Sequence, residues 1–130
     1  MLLAPQRPLG RTGIRTTFIG FGALEIGRDW GVGNPDERKR PDELAAGETL
    51  RTVLDLGVNL IDTASAYHRS EERIGKFIHD RRKEFILATK CGEHNIEPNT
   101  YYDFSYPAVH RSIENSCRLL QTDVIDILQI

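Results

Sequence analysis

The sequence predicts an α/β fold built on a parallel sheet, and three observations carry that prediction. Short apolar runs recur at residues 18–21, 58–61, 85–89 and 124–130. Between them lie stretches with apolar residues at the i, i+3, i+4 spacing of a buried helix face. Strands joined through helices need crossover connections, which makes neighbouring strands parallel. Finally, two of the runs stop on an ionisable side chain, Asp62 and Lys90. Polar groups at the carboxyl ends of buried strands are where α/β proteins keep their chemistry.

Residues 5–17 read as a hairpin, with Gly10 and Gly13 supplying the positive φ values of its turn. The run at 18–21 follows as a buried strand, and Gly22, Ala23 and Leu24 open the loop after it. Residues 25–41 show neither period and are broken by glycine and proline. Loops this long are functional or mobile. Trp30 is the largest apolar residue there, and it reads equally as a pocket wall or as a side chain packed on its own domain. From Pro41 the pattern turns helical, with Leu50, Val53 and Leu54 on one face and Gly57 as the stop.

Residues 58–61 form the second strand, interrupted only by Asn59 and of the kind buried on both faces. Ser70 is read as the cap of the next helix, with Glu71 and Glu72 suited to the dipole and Ile74, Phe77 and Ile78 buried. Residues 85–89 are the third strand, and an irregular loop runs from Lys90 to Ser105. Pro107 opens the third helix, whose predicted stripe is Val109, Ile113, Cys117 and Leu120, with Cys117 a small core residue. Residues 124–130 are the fourth strand.

The 130 residues suffice for one modest domain, and 39% hydrophobic with 28% charged residues describes an ordinary soluble chain. A net charge of -2, with no basic block longer than Arg38-Lys39-Arg40, argues against a nucleic-acid partner. The chain lacks the run of about 18 apolar residues that a membrane span requires, and the opening residues 1–5 are too few for a signal-peptide core. Two cysteines and four scattered histidines give no metal-ligand spacing, so no metal is expected. The thiols read as reduced and the protein as cytoplasmic. Gly20-Phe21-Gly22 lacks the third glycine of the dinucleotide fingerprint, which makes a Rossmann reading poor.

In a parallel sheet the carboxyl ends share one side, with neighbouring strands ~4.8 Å apart. With the second and third strands adjacent, Asp62 and Lys90 face one mouth and pair, and Tyr67 lies in the loop that returns over it. Together these side chains make a proton donor for a carbonyl oxygen gaining negative charge. The matching reaction is carbonyl reduction, with hydride delivered by a cofactor. Each residue alone also has a structural reading: Asp62 as a turn cap, Tyr67 as a packing residue, Lys90 as a solvated strand end.

Taken in order, the segments Leu9-Gly10-Arg11-Thr12-Gly13, Gly20-Phe21-Gly22-Ala23, Asp62-Thr63-Ala64 with Tyr67, and Ser70-Glu71 resemble the aldo/keto reductase family. So do Ile74-Gly75, Ala88-Thr89-Lys90, Tyr102-Asp103-Phe104-Ser105 and residues 122–130. The resemblance implies an N-terminal hairpin plus the first four βα-type units of a (β/α)8 TIM barrel. Residues 1–130 would then be a partial, half-barrel domain that stops before the family's fourth-strand catalytic histidine.

It further implies a reductase of aldehydes and ketones that uses NADPH, or alternatively NADH, with a small carbonyl substrate. Asp62, Tyr67 and Lys90 match three members of the family's catalytic tetrad. Gly22, Ala23, Leu24, Asp62 and Tyr67 match the nicotinamide and ribose contacts. Trp30 and His68 are candidate substrate contacts, although His68, where the family often has glycine, also reads as an exposed loop residue. His94 is weighed as a stand-in for the fourth member and set aside. Without the second half of the barrel, cofactor binding is expected to be weak or absent, the chain inactive alone, and the open sheet edges prone to self-association. The alternative is a non-catalytic, cofactor-binding subunit like those of potassium channels.

Overall fold

A computed structural model of the chain describes residues 4–130; the opening residues 1–3 lie outside it. The elements run β1 (Gln6–Pro8), β2 (Arg15–Thr17), β3 (Phe21–Gly22), α1 (Glu43–Asp55), β4 (Leu60–Asp62), α2 (Ser70–Ile78) and β5 (Ile86–Lys90). They continue with β6 (Glu93–Ile96), β7 (Asn99–Tyr102), α3 (Tyr106–Leu120) and β8 (Ile127–Gln129). The predicted hairpin is present, with β1 antiparallel to β2 and Gly10 and Gly13 at φ 55° and 79°. The predicted parallel sheet is present as well, in the order β3-β4-β5-β8.

One face of that sheet is closed by helices. Leu50 and Leu54 of α1, Ile74 and Ile78 of α2, and Leu120 of α3 pack with Ile61 of β4 and Leu87 of β5. Each of these, fully withdrawn from water, contributes roughly 1.5–3 kcal/mol of transfer free energy. Helix α2 lies close against α3 because Gly75 has no side chain: a Cβ there would meet the Leu119 carbonyl oxygen.

Several expectations need correction. The first barrel strand is shorter than 18–21: Phe18 and Ile19 are more than half exposed, and pairing begins at Phe21. Asn59 explains the break, since its Oδ1 accepts from the Thr17 N–H at 2.6 Å and its side chain donates to Arg15 O at 3.1 Å. Those bonds tie the hairpin to the foot of β4, where Asn59 had read as an interruption. β4 is buried on one face only, because among the described residues no helix covers the side on which Leu60 stands half-buried.

Helix α1 starts at Glu43 rather than Pro41, capped by the Asp42 carboxylate, which accepts the Ala45 N–H at 2.9 Å. In α3 the buried face is Ala108, Ser112, Ser116 and Leu120. The helix is turned so that Val109, Ile113 and Cys117 are only half-buried, and Cys117 is not a core residue. The turn follows from Glu71, buried in α2, which accepts from Ser116 Oγ at 3.0 Å. An anchored polar contact outweighs the apolar stripe. The loop after Lys90 is ordered as an antiparallel hairpin of β6 and β7, and residues 124–126 precede the last strand instead of belonging to it.

Candidate active site

Alternation along the strands decides which side chains reach the helix-free face. Ile61, Thr63, Leu87 and Thr89 point into the helix-side core, each exposed by 1% or less. Asp62 and Lys90 are one residue out of phase, so they project from the opposite face. There Lys90 Nζ donates to Asp62 Oδ2 at 2.8 Å and to Thr63 O at 3.0 Å. Gln129 stands opposite Lys90 in the register of β5 and β8, and its Nε2 donates to Asp62 Oδ1 at 2.9 Å. Both carboxylate oxygens are thereby engaged. The Lys90 and Asp62 side chains are 32% and 39% exposed, so the ion pair adds only about 0–1 kcal/mol of stability and serves chiefly to orient the lysine.

Tyr67 completes the cluster, with Lys90 Nζ 5.0 Å from the centre of its ring. Its backbone is held by the turn that follows β4: Tyr67 N donates to Ala64 O at 3.1 Å, and Ser70 N to Tyr67 O at 3.0 Å. Ser70 is not the helix cap that the sequence suggested. It is fully buried, its Oγ donates to Ala23 O at 2.7 Å, and it shares a 2.8 Å hydrogen bond with Thr63 Oγ1. Those bonds tie the tyrosine loop to the ends of β3 and β4. Gly27 allows a second brace, since a Cβ there would strike Tyr67 O and Ser70.

A cavity of about 280 Å³ opens beside the cluster, walled by Tyr67, Lys90, Cys91, Phe104, Gln129 and Ile130. Burial pushes the Cys91 thiol up, away from the thiolate form, so it acts as wall rather than nucleophile. Gln129, Cys91 and Phe104 were not named as site residues from the sequence, although Phe104 and Gln129 lie in segments that carried the resemblance. Gln129 carried the one available signal, a polar residue at the end of an apolar run.

Of the other predicted residues, Gly22 pairs in register with Asp62, and a Cβ built on it would project into open space. Ala23 is fully buried, its N–H donating to Asp62 O at 2.8 Å. Leu24 is half-buried and its carbonyl caps the turn to Gly27 and Arg28. Trp30 and His68 are brought together, but around a different cavity that shares no wall with that of Tyr67 and Lys90. His68 is not exposed: it is 91% buried, with left-handed backbone at φ 48°. His94 is spent elsewhere, its Nε2 2.8 Å from Asp103 O and its ring stacked on Tyr101. Among the described residues no cluster of three or more His, Cys, Asp or Glu is placed to hold a metal, and no helix is long and apolar enough to cross a membrane.

This arrangement has relatives. The family model described as "Aldo/keto reductase family" matches residues 18–130. The chain belongs to the aldo/keto reductase family. An aldo-keto reductase of Bacillus subtilis is 38% identical over 124 residues, covering 92% of this chain and 35% of the relative. A Pseudomonas aeruginosa protein described as an aldo-keto reductase is 41% identical with a TM-score of 0.80, over 95% of this chain and 46% of that one. An aldo-keto reductase from Klebsiella pneumoniae, solved in complex with NADPH, is 27% identical with a TM-score of 0.63, over 88% of this chain and 34% of that one. The chain spans about a third of the length of the curated relatives it matches. Its parallel sheet with helices on one face is accordingly part of a TIM barrel, as the resemblance implied.

Proposed function

We propose that Asp62, Tyr67 and Lys90 are the proton-donating part of an NADP(H)-dependent site that reduces small aldehydes or ketones. The observation that carries this reading is their convergence on one face at the carboxyl ends of adjacent parallel strands. The ends of β3 and β4 fit the nicotinamide and ribose of such a cofactor. Open space lies in front of Gly22, and Asp62 and Tyr67 stand beside it. The fit does not extend to the phosphates. Lys90 is the one cation walling the cavity among the described residues, and it is committed to Asp62. Binding by these 130 residues alone is therefore expected to be weak.

When bound, the reduced nicotinamide supplies the hydride. The Tyr67 hydroxyl hands its proton to the carbonyl oxygen as that oxygen gains charge, a contribution of about 10²–10⁴ in rate for a positioned acid. Lys90, over the ring, offsets the charge left on the phenol oxygen. Asp62 aims Lys90, and Gln129 fixes the second oxygen of Asp62, making Gln129 a positioning residue. The free cysteines suit a reducing compartment such as the cytoplasm.

The test joins residues 1–130 to the remaining barrel strands of the Pseudomonas aeruginosa relative and follows NADPH consumption with a small aldehyde. Reduction is expected, and Tyr67→Phe should lower kcat by about 10²–10⁴. A Tyr67→Phe chimera as fast as its parent would sink the proposal. For the 130-residue chain, NADPH fluorescence should rise without saturation, and a clear plateau would overturn the expectation of weak binding.

A further inference from the structure

A second cavity, which that reading does not use, is the one that Trp30 and His68 share. It measures about 460 Å³, within the range of small-molecule pockets. The loop after β3 forms one wall, and His68 with the Glu97–Pro98 turn between β6 and β7 forms the other. Its walls carry three arginines, Arg28, Arg38 and Arg40, against two carboxylates, Asp29 and Glu97, with Glu93 a third carboxylate 3.8 Å from Arg28.

Most of that charge is already committed. Arg40 pairs with Glu97 at 2.6 Å and donates to Gly27 O at 2.9 Å, so those two side chains neutralise each other. Asp29, at the rim, accepts the Arg40 backbone N–H at 3.0 Å. Arg28 lies over the Trp30 ring, 5.4 Å from its centre, and 3.8 Å from Glu93. Arg38 is different. Its Nε is buried without a hydrogen-bond partner among the described residues, and so is His68 Nε2. These are the two unpartnered buried side-chain atoms of the described chain, and both belong to residues that wall the same cavity.

Orphaned buried donors cost stability unless a ligand or ordered water completes them. Burial and the neighbouring Arg28 hold the His68 imidazole below its usual range, which favours a neutral ring with a single N–H. The unpartnered Arg38 Nε–H and a ring N–H suit the oxygens of a carboxylate. Trp30, 53% exposed, offers a flat apolar surface next to them.

We propose that this cavity is a binding site for a small monocarboxylate with a flat apolar body. It is separate from the Tyr67–Lys90 cavity, and the proposal does not depend on catalysis. Trp30 is the single tryptophan of the chain, so its emission reports directly on occupancy. In a fluorescence titration of the 130-residue chain, benzoate should saturate in the millimolar range, and binding should weaken as salt is added. Benzamide, of the same shape but neutral, and inorganic phosphate should bind at least tenfold more weakly.

Arg38→Gln and His68→Asn should each weaken benzoate about tenfold while leaving the far-ultraviolet circular dichroism unchanged. Asparagine is chosen because it tolerates the left-handed backbone at residue 68. Arg38→Lys, which keeps the charge but loses Nε, should fall between the parent and Arg38→Gln. Benzoate that fails to saturate, benzamide that binds equally well, or an Arg38→Gln chain with unchanged affinity would each overturn the assignment.

Discussion

Arg73→Met tests how the long loop beside the site is held. Arg73 lies on α2 and is only 3% exposed. Its Nη1 donates to Ile26 O at 2.5 Å and to Pro41 O at 2.8 Å, and its Nε donates to Glu43 Oε1 at 2.8 Å. The two carbonyls bracket the loop from 26 to 41, so one guanidinium clamps both its ends and the start of α1. Methionine keeps the apolar stem and removes the charge. Hydrogen bonds to a charged group contribute ~1.5–3 kcal/mol each, and three of them summed would overstate the loss. Glu43 is 35% exposed and solvent screens its share. Breaking a largely buried pair from one side costs about 3–5 kcal/mol, and the screening places the expected loss near 3. Against a total of roughly 6–20 kcal/mol for a chain this long, that is a substantial fraction.

Urea unfolding at neutral pH should show the loss as a midpoint lowered by about 1–2 M at unchanged slope. Glu43→Gln should cost only about 1 kcal/mol, because Arg73 keeps both carbonyls. The pH dependence has a definite sign. Hydrogen bonds from Lys76 and from Arg73 hold the Glu43 carboxyl down from 4.5 to about 2. Its stabilisation is present above the unfolded value and is lost as pH falls toward the folded one. The gap between Arg73→Met and the parent should therefore shrink between pH 4.5 and about 2. A gap under about 1 kcal/mol at neutral pH, or one indifferent to acid, would refute this account of the clamp.

Two further outcomes are expected. Glu71 is 2% exposed, and burial pushes its carboxyl up although Thr89 and Ser116 donate to it. Its contribution is full below the unfolded value and fades as pH rises through the folded one. Glu71→Gln should flatten the decline of Tm above about pH 4.5, and a Gln variant that declines like the parent would contradict this. Strands β3 and β8 are each paired on one side only, and Phe18, Ile19, Leu128 and Ile130 are exposed. Open apolar edges recruit further strands. Sedimentation velocity should show concentration-dependent self-association, and a monomer mass with a sharp reversible melt would count against it.

What the sequence disclosed depended on local chemistry. The hairpin was legible because Gly10 and Gly13 punctuate it, and the sheet because apolar runs and helical periods alternate. Asp62 and Lys90 were legible as charges at strand ends. Several of the misreadings involve polar groups committed over long sequence distances. Ser70 looked like a local cap, yet its hydroxyl reaches Ala23 O, 47 residues away. Ser116, which lay outside the predicted stripe of α3, serves Glu71, 45 residues away. His68 read as an exposed loop residue, yet it is buried and shares a cavity wall with the Glu97–Pro98 turn. The hairpin that carries this turn was missed because Glu93-His94-Asn95 carries no β-forming apolar signal.

The central strands show why both the core and the site could be read from one pattern yet assigned to the wrong number of faces. Leu60, Ile61, Leu87 and Ile86 are apolar in succession, which reads as burial on both sides. Only Ile61 and Leu87 lie against helices; Leu60 and Ile86 sit half-buried on the uncovered face. That same face carries Asp62, Lys90 and Gln129 toward the carboxyl ends of the strands. Apolar residues deep in the strand and charges at its carboxyl end are two ends of one surface.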